Sequence, residues 1–106
     1  MIIEHKVGSF IRISLICKGD SCSVVGDLPA DPWCFNTGSE LRVKDSVVLW
    51  SEPINVDGLR IRVCGTYVGN ELKSVLFIAE GVKPSVNLEN LLNKVRSFIK
   101  NECGGT

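Results

Sequence analysis

The sequence lacks an excess of charge: twelve Lys and Arg balance twelve Asp and Glu in 106 residues. That balance excludes the histone-like and coat-like proteins that bulk charge holds on nucleic acid. No apolar run approaches the roughly eighteen residues of a membrane span. No leader combines a charged start, an apolar centre and a small-residue cleavage site. The chain is expected to be soluble and intracellular, with no membrane partner.

Histidine is almost missing. The one present, His5, lies in an N-terminal arm and is expected to be solvated. There is no nucleophile elbow, no phosphate-cradling glycine loop and no cluster with metal-ligand spacing, so neither catalysis nor a metal or cofactor is expected. Asp27 and Asp31 flank prolines and suit turn chemistry better than acid–base work. The five cysteines (Cys17, Cys22, Cys34, Cys64 and Cys103) are odd in number and contain no C-x-x-C pair. Those features argue against a zinc ribbon or a redox dithiol. The cysteines are read as free thiols filling small core sites, although Cys17 and Cys22 flank a hairpin and would bridge in an oxidising setting.

What the sequence does contain is strand pattern followed by one helix. Residues 1–8 read as a lead-in arm. From Phe10 to Lys18, Ile11, Ile13, Leu15 and Cys17 alternate with polar residues, predicting a half-buried strand. Gly19-Asp20 marks a hairpin into a short returning strand, Ser21 to Asp27. A long irregular stretch, 28–38, carries Pro29, Pro32 and Gly38 together with the bulky Trp33 and Phe35. Glu40 to Trp50 reads as a third strand with Leu41, Val43, Val47 and Leu49 on one face and a bulge or bend at Lys44-Asp45. Leu59 to Val68 alternates most cleanly, and after Gly69-Asn70 a fifth, more uniformly apolar strand runs from Glu71 to Glu80.

The helix is predicted over Asn87 to Asn101, with Asn87 as cap, Pro84 ahead of it and Gly104 beyond. Leu88, Leu91, Leu92, Val95, Phe98 and Ile99 form a single apolar stripe at helical period. A helix of this length is marginal alone in water, so the stripe needs a surface.

Five strands in about seventy residues suggest a small barrel. The fold class predicted is all-β with a C-terminal helix: a five-stranded OB-fold barrel over 1–86 and the helix over 87–103 of the same domain, with an SH3-like barrel as the rival. Gly65 inside the fourth strand fits the sharp bend of a strand shared by two sheets. The connector 51–58 contains Pro53 and Gly58 and has no room for the helix that many OB-folds place there, so the barrel lacks its usual plug.

The order of barrel and terminal helix resembles the smallest subunit of replication protein A and, more closely, the small subunit of the telomere-capping CST complex. Four segments carry the resemblance: Gly58-Leu-Arg-Ile-Arg-Val-Cys-Gly65, Leu72-Lys-Ser-Val-Leu-Phe-Ile-Ala-Glu-Gly-Val82, the helix Val86 to Phe98 and, more weakly, Gly8-Ser-Phe-Ile-Arg-Ile. They cover about half of the chain, and residues 26–50 do not align. The resemblance implies a non-catalytic OB-fold subunit that forms a heterodimer with a larger OB-fold protein through its C-terminal helix. The pair would support single-stranded DNA binding in the nucleus, at chromosome ends and during replication.

Three groups of residues could carry function. Burying the six apolar helix residues, at about 1.5–3 kcal/mol each, would contribute on the order of 10 kcal/mol before ordering costs. That suffices to plug the chain's own barrel or to drive a heterodimer. In one arrangement Leu88, Leu91 and Val95 touch the barrel while Leu92, Phe98 and Ile99 face a partner, so that Leu92→Glu or Phe98→Glu would abolish pairing and leave the fold intact. The cations Arg12, Arg42, Lys44, Arg60, Arg62 and Lys73 occupy polar strand positions, either as a solvated face or as a track for a single strand. Phe10, Trp50, Tyr67 and Phe77 are assigned to the core or its margin, and none is placed beside Arg60 or Arg62. DNA binding by the isolated chain is therefore expected to be weak. Trp33 and Phe35 either tuck over the barrel edge or anchor a partner or a base. The other function class, a stand-alone small-barrel module binding RNA, single-stranded DNA or peptide, has the helix as its own plug.

Overall fold

In a computed structural model, residues 2–7, 11–28 and 33–104 are described, with side chains over 13–28 and 33–103. Phe10, Pro29, Asp31 and Pro32 lie outside the described residues, and the side chains of His5 and Arg12 lie outside the described side chains.

The described chain is mostly strand with one C-terminal helix. The strands are β1 (Ile2–Val7), β2 (Ile11–Lys18), β3 (Ser21–Leu28), β4 (Thr37–Val43), β5 (Ser46–Ser51), β6 (Ile54–Val56), β7 (Leu59–Val68) and β8 (Glu71–Val82), followed by α1 (Leu88–Gly104). They make one open antiparallel sheet in the order β1-β2-β3-β8-β7-β5-β4, with β6 beside β7. Among the described residues, β1 and β4 stand at the two ends of this order, and β6 pairs on one side only.

Four expectations change. The lead-in arm is a strand, β1, paired along β2 from Ile2↔Ile16 to Val7↔Ile11. The supposed third strand is two strands that reverse at Lys44-Asp45, where Lys44 has a positive φ of 55°. The connector 51–58 holds β6 and returns through Asp57-Gly58, both at positive φ, as tight hairpins require. Among the described residues, eight strands in an open sheet therefore stand where five in a barrel were predicted.

The reversal at Lys44-Asp45 has a further effect on side-chain placement. Val43 pairs with Ser46 and Leu41 with Val48. Paired residues share a face, so Leu41 and Val43 lie with Val48 and Trp50, opposite to Val47 and Leu49. The single-strand reading put Leu41, Val43, Val47 and Leu49 together; a two-residue turn shifts the parity by one and flips half of them.

The core forms on one face of the sheet. Ile13, Val24, Ile61, Val63, Phe77 and Ala79 are all at most 1 % exposed, and α1 adds Leu91, Leu92 and Val95. Two glycines make room for rings. A Cβ on Gly26 would lie 2.4 Å from the Phe77 ring, and one on Gly65 would lie 2.7 Å from the Trp33 indole. Gly65 thus serves ring packing and has no positive φ among the described glycines.

The helix is capped as expected: the Asn90 amide donates to Asn87 Oδ1 at 3.0 Å. Its far end runs past Asn101, which brings Cys103 to Cys34, and the two are joined as a disulfide across 69 residues of sequence. Cys17 and Cys22, directly opposite in the β2–β3 register, form a second disulfide. The expectation of five free thiols is corrected: only Cys64 is free.

Candidate functional site

The helix stripe docks on its own domain. Leu91, Leu92 and Val95 are fully buried, and Leu88, Phe98 and Ile99 pack half-buried against the same core. Leu92, at 0 % exposure, faces inward, against the arrangement that turned it toward a partner. The reason lies in the sheet: its core face, where α1 meets β2 and β6, supplies the apolar surface that the stripe needs. Lys94 Nζ lies 3.3 Å from Asp57 Oδ2 and ties the helix to the β6–β7 turn. No described span is a helix long and apolar enough to cross a membrane.

Trp33 and Phe35 also belong to the packing. Their rings meet edge to face at 5.3 Å, and Trp33 lies over Gly65 on the core side of β7. The Trp33 indole N–H is buried with no acceptor among the described residues. Beside them, Cys34, Phe35, Ser51, Phe98 and Glu102 line a shallow cleft of about 260 Å³, smaller than the usual range for a small-molecule pocket. Ser51 at its floor is occupied structurally: its Oγ accepts the Val63 amide at 2.8 Å and donates to the Glu52 carbonyl at 3.0 Å.

Lys44, read as a strand position, lies instead in the β4–β5 turn, and the other predicted cations with described side chains separate into three places. Arg42 is exposed on the β4 edge, with its guanidinium 3.5 Å from Glu40. Lys73, at the β7–β8 irregularity, pairs with Glu71 at 3.0 Å. Arg60 and Arg62 share the outer face of β7, with Arg60 opposite Glu80. Arg62 stands 5.2 Å above the centre of the Trp50 ring. An aromatic partner for Arg62 therefore exists where the sequence was read as having none. What brings the two together is the β5–β7 register, which puts Trp50 opposite Cys64 and diagonal to Arg62 and which no local alternation encodes.

The same register builds the whole outer face. Ser39, Trp50, Cys64, Leu76 and Asp27 form one transverse row, Leu41, Val48, Thr66 and Ser74 the next, and Arg62, Ile78 and Val25 a third. This face carries Val25, Leu76, Ile78, Val48 and Trp50 half-buried, and Leu41 and Val68 exposed. Burial pushes the Cys64 thiol up from its ordinary value of 9.0, with the Arg62 guanidinium partly opposing. Burial thus favours the neutral form of the Cys64 thiol, which sits opposite Trp50 in the register. No group of His, Cys, Asp and Glu able to hold a metal occurs among the described residues.

No protein-family model matches the chain, and no curated protein or solved structure matches it.

Proposed function

We propose that this chain is a non-catalytic binding subunit that pairs with a larger OB-fold protein and supports single-stranded DNA binding at chromosome ends, in the nucleus. The fold part of the proposal takes β2, β3, the β4–β5 hairpin, β7 and β8 as the strands of an OB-type module with α1 as its plug. The observation that carries the DNA part is Arg62 over Trp50 on an open sheet face, with Arg60 two residues away. A cation beside an aromatic is the combination with which a sheet holds phosphate and base of a single strand. One such platform on a chain of zero net charge gives weak binding alone, so the partner supplies most of the contacts.

The test is fluorescence anisotropy with a single-stranded oligonucleotide, run on the isolated chain and on the chain co-purified with a larger OB-fold protein. The expected result is weak binding alone, tighter binding by the pair and a roughly tenfold loss in the pair on Trp50→Ala. Nanomolar binding by the isolated chain at physiological salt, or no response to Trp50→Ala, would overturn this reading.

A second reading is favoured by the helix and by the cysteines. All six stripe residues pack on the chain's own core, which leaves the fold complete without a partner. Two disulfides suit an oxidising compartment better than a nucleus. This reading makes the chain a stand-alone module that binds a strand or a peptide as it is. Light scattering on the purified chain, with and without the OB-fold protein, separates the two.

A further inference from the structure

We infer that the β4 edge pairs antiparallel with β4 of a second copy of this chain, about a two-fold axis through Leu41. The inference goes beyond the function proposed above and does not depend on it. It starts from the edge itself. Every residue of β4, Thr37 to Val43, is exposed, and Leu41 and Val43 keep 59 % and 56 % of their surface. An edge of this kind usually carries a proline, a bulge or one sign of charge as protection. The register irregularity of β4 lies between Thr37 and Ser39, which leaves residues 40–43 regular, and its two charges, Glu40 and Arg42, cancel.

The order of those two charges selects the occupant. In an antiparallel pair centred on Leu41, Glu40 of each copy falls opposite Arg42 of the other, and Leu41 falls opposite Leu41. The backbone parity agrees. Val43 and Ser46 flank a two-residue turn and form a hydrogen-bonded pair, so by alternation Leu41 also bonds to Val48. The amides and carbonyls of Glu40 and Arg42 then point to the free edge. They are the groups that a ladder with Glu40 opposite Arg42 requires. At present the two side chains make only a loose ion pair within the strand, 3.5 Å apart and 73 % and 46 % exposed for Arg42 and Glu40. Pairing would give each of them a direct cross-strand partner and would cover Leu41. A dimer of this kind is isologous and closed, and it joins two sheets into one.

Sedimentation equilibrium on the full chain tests the inference through a charge exchange. The wild type is expected to dimerise with concentration. Arg42→Glu and Glu40→Arg, each alone, set like charges opposite each other at both ends of the ladder and weaken the dimer at least about tenfold. Mixing the two single variants restores association as a heterodimer, and the double variant E40R/R42E dimerises by itself. Circular dichroism checks that each variant keeps its fold, which exposed positions permit. A wild type that stays monomeric, a dimer indifferent to the single reversals, or singles that do not combine on mixing would each overturn the pairing.

Discussion

β3 and β4 are strands of similar length, eight and seven residues, in the same sheet, yet they live in opposite environments. In β3 every second residue is buried, from Cys22 to Leu28, between β2 and β8. In β4 none is buried, and no described strand pairs with its outer edge. β3 obeys its sequence because burial on one face dictates register. β4 has no such instruction, and its residue types are free to serve contact with something outside the chain. The molecule thus divides into a packed half, which sets stability, and a β4–β5 hairpin, which carries surface.

The largest effect expected to mark this division is in the helix. Leu92→Ala removes a side chain with 0 % exposure and should lower stability by about 2–5 kcal/mol in urea unfolding. A loss under 1 kcal/mol would place Leu92 with the hairpin rather than the core. Next comes the Cys34–Cys103 disulfide. Over its 69-residue separation, the chain-entropy account gives about 4 kcal/mol, against about 2 kcal/mol for the short Cys17–Cys22 loop. Cys103→Ser should therefore lower the melting temperature more than Cys22→Ser does by loop closure alone.

A smaller effect, about 1–3 kcal/mol, is expected for Gly65→Ala, whose new methyl group would displace the Trp33 ring. Indole fluorescence should shift with it, and an unchanged spectrum would separate Trp33 from β7. Least of all, Leu41→Ala should change the stability of the monomer, at concentrations below dimerisation, by under about 0.5 kcal/mol, because its side chain is already mostly in water there. A large loss there would make the hairpin part of the core. On the pH axis, Cys64 sits with the packed half. Its raised folded pKa means that the stability due to burying the neutral thiol is complete below 9.0 and is lost as the pH rises beyond it. Replacing Cys64 with Ala should flatten that alkaline decline in a pH series of unfolding curves.

The packed half was largely legible in the sequence. Alternation in Ile13–Cys17 and Leu59–Tyr67 identified core-facing residues, and the helix stripe with its Asn87 cap was placed to within a turn. What period alone could not reveal was parity. Nothing in the pattern of Glu40 to Trp50 separates one bent strand from two strands around Lys44-Asp45, because both alternate. That ambiguity misplaced Leu41 and Val43, which lie on the outer face with Trp50, while Val47 and Leu49 keep the core side. Cys34 and Cys103 were illegible for another reason: a bond across most of the chain depends on where a loop and a helix end meet, which no local signal encodes. The helix stripe was visible, but its destination depended on the core face of the sheet, where it meets β2 and β6.

The Cys34–Cys103 bond also decides how the molecule would respond to being pulled. Force applied to the two chain ends would pass through the two sulfur atoms and bypass everything between them, β4 to β8 and the helix. The load would fall on the ladder between β3, outside that covalent ring, and β8, inside it. In a single-molecule extension experiment the oxidised chain would yield as one short step in which β1, β2 and β3 peel away. After reduction, the length held inside the ring would be released as well. The hairpin at the far edge would feel no tension in the first case and would be among the segments drawn out in the second.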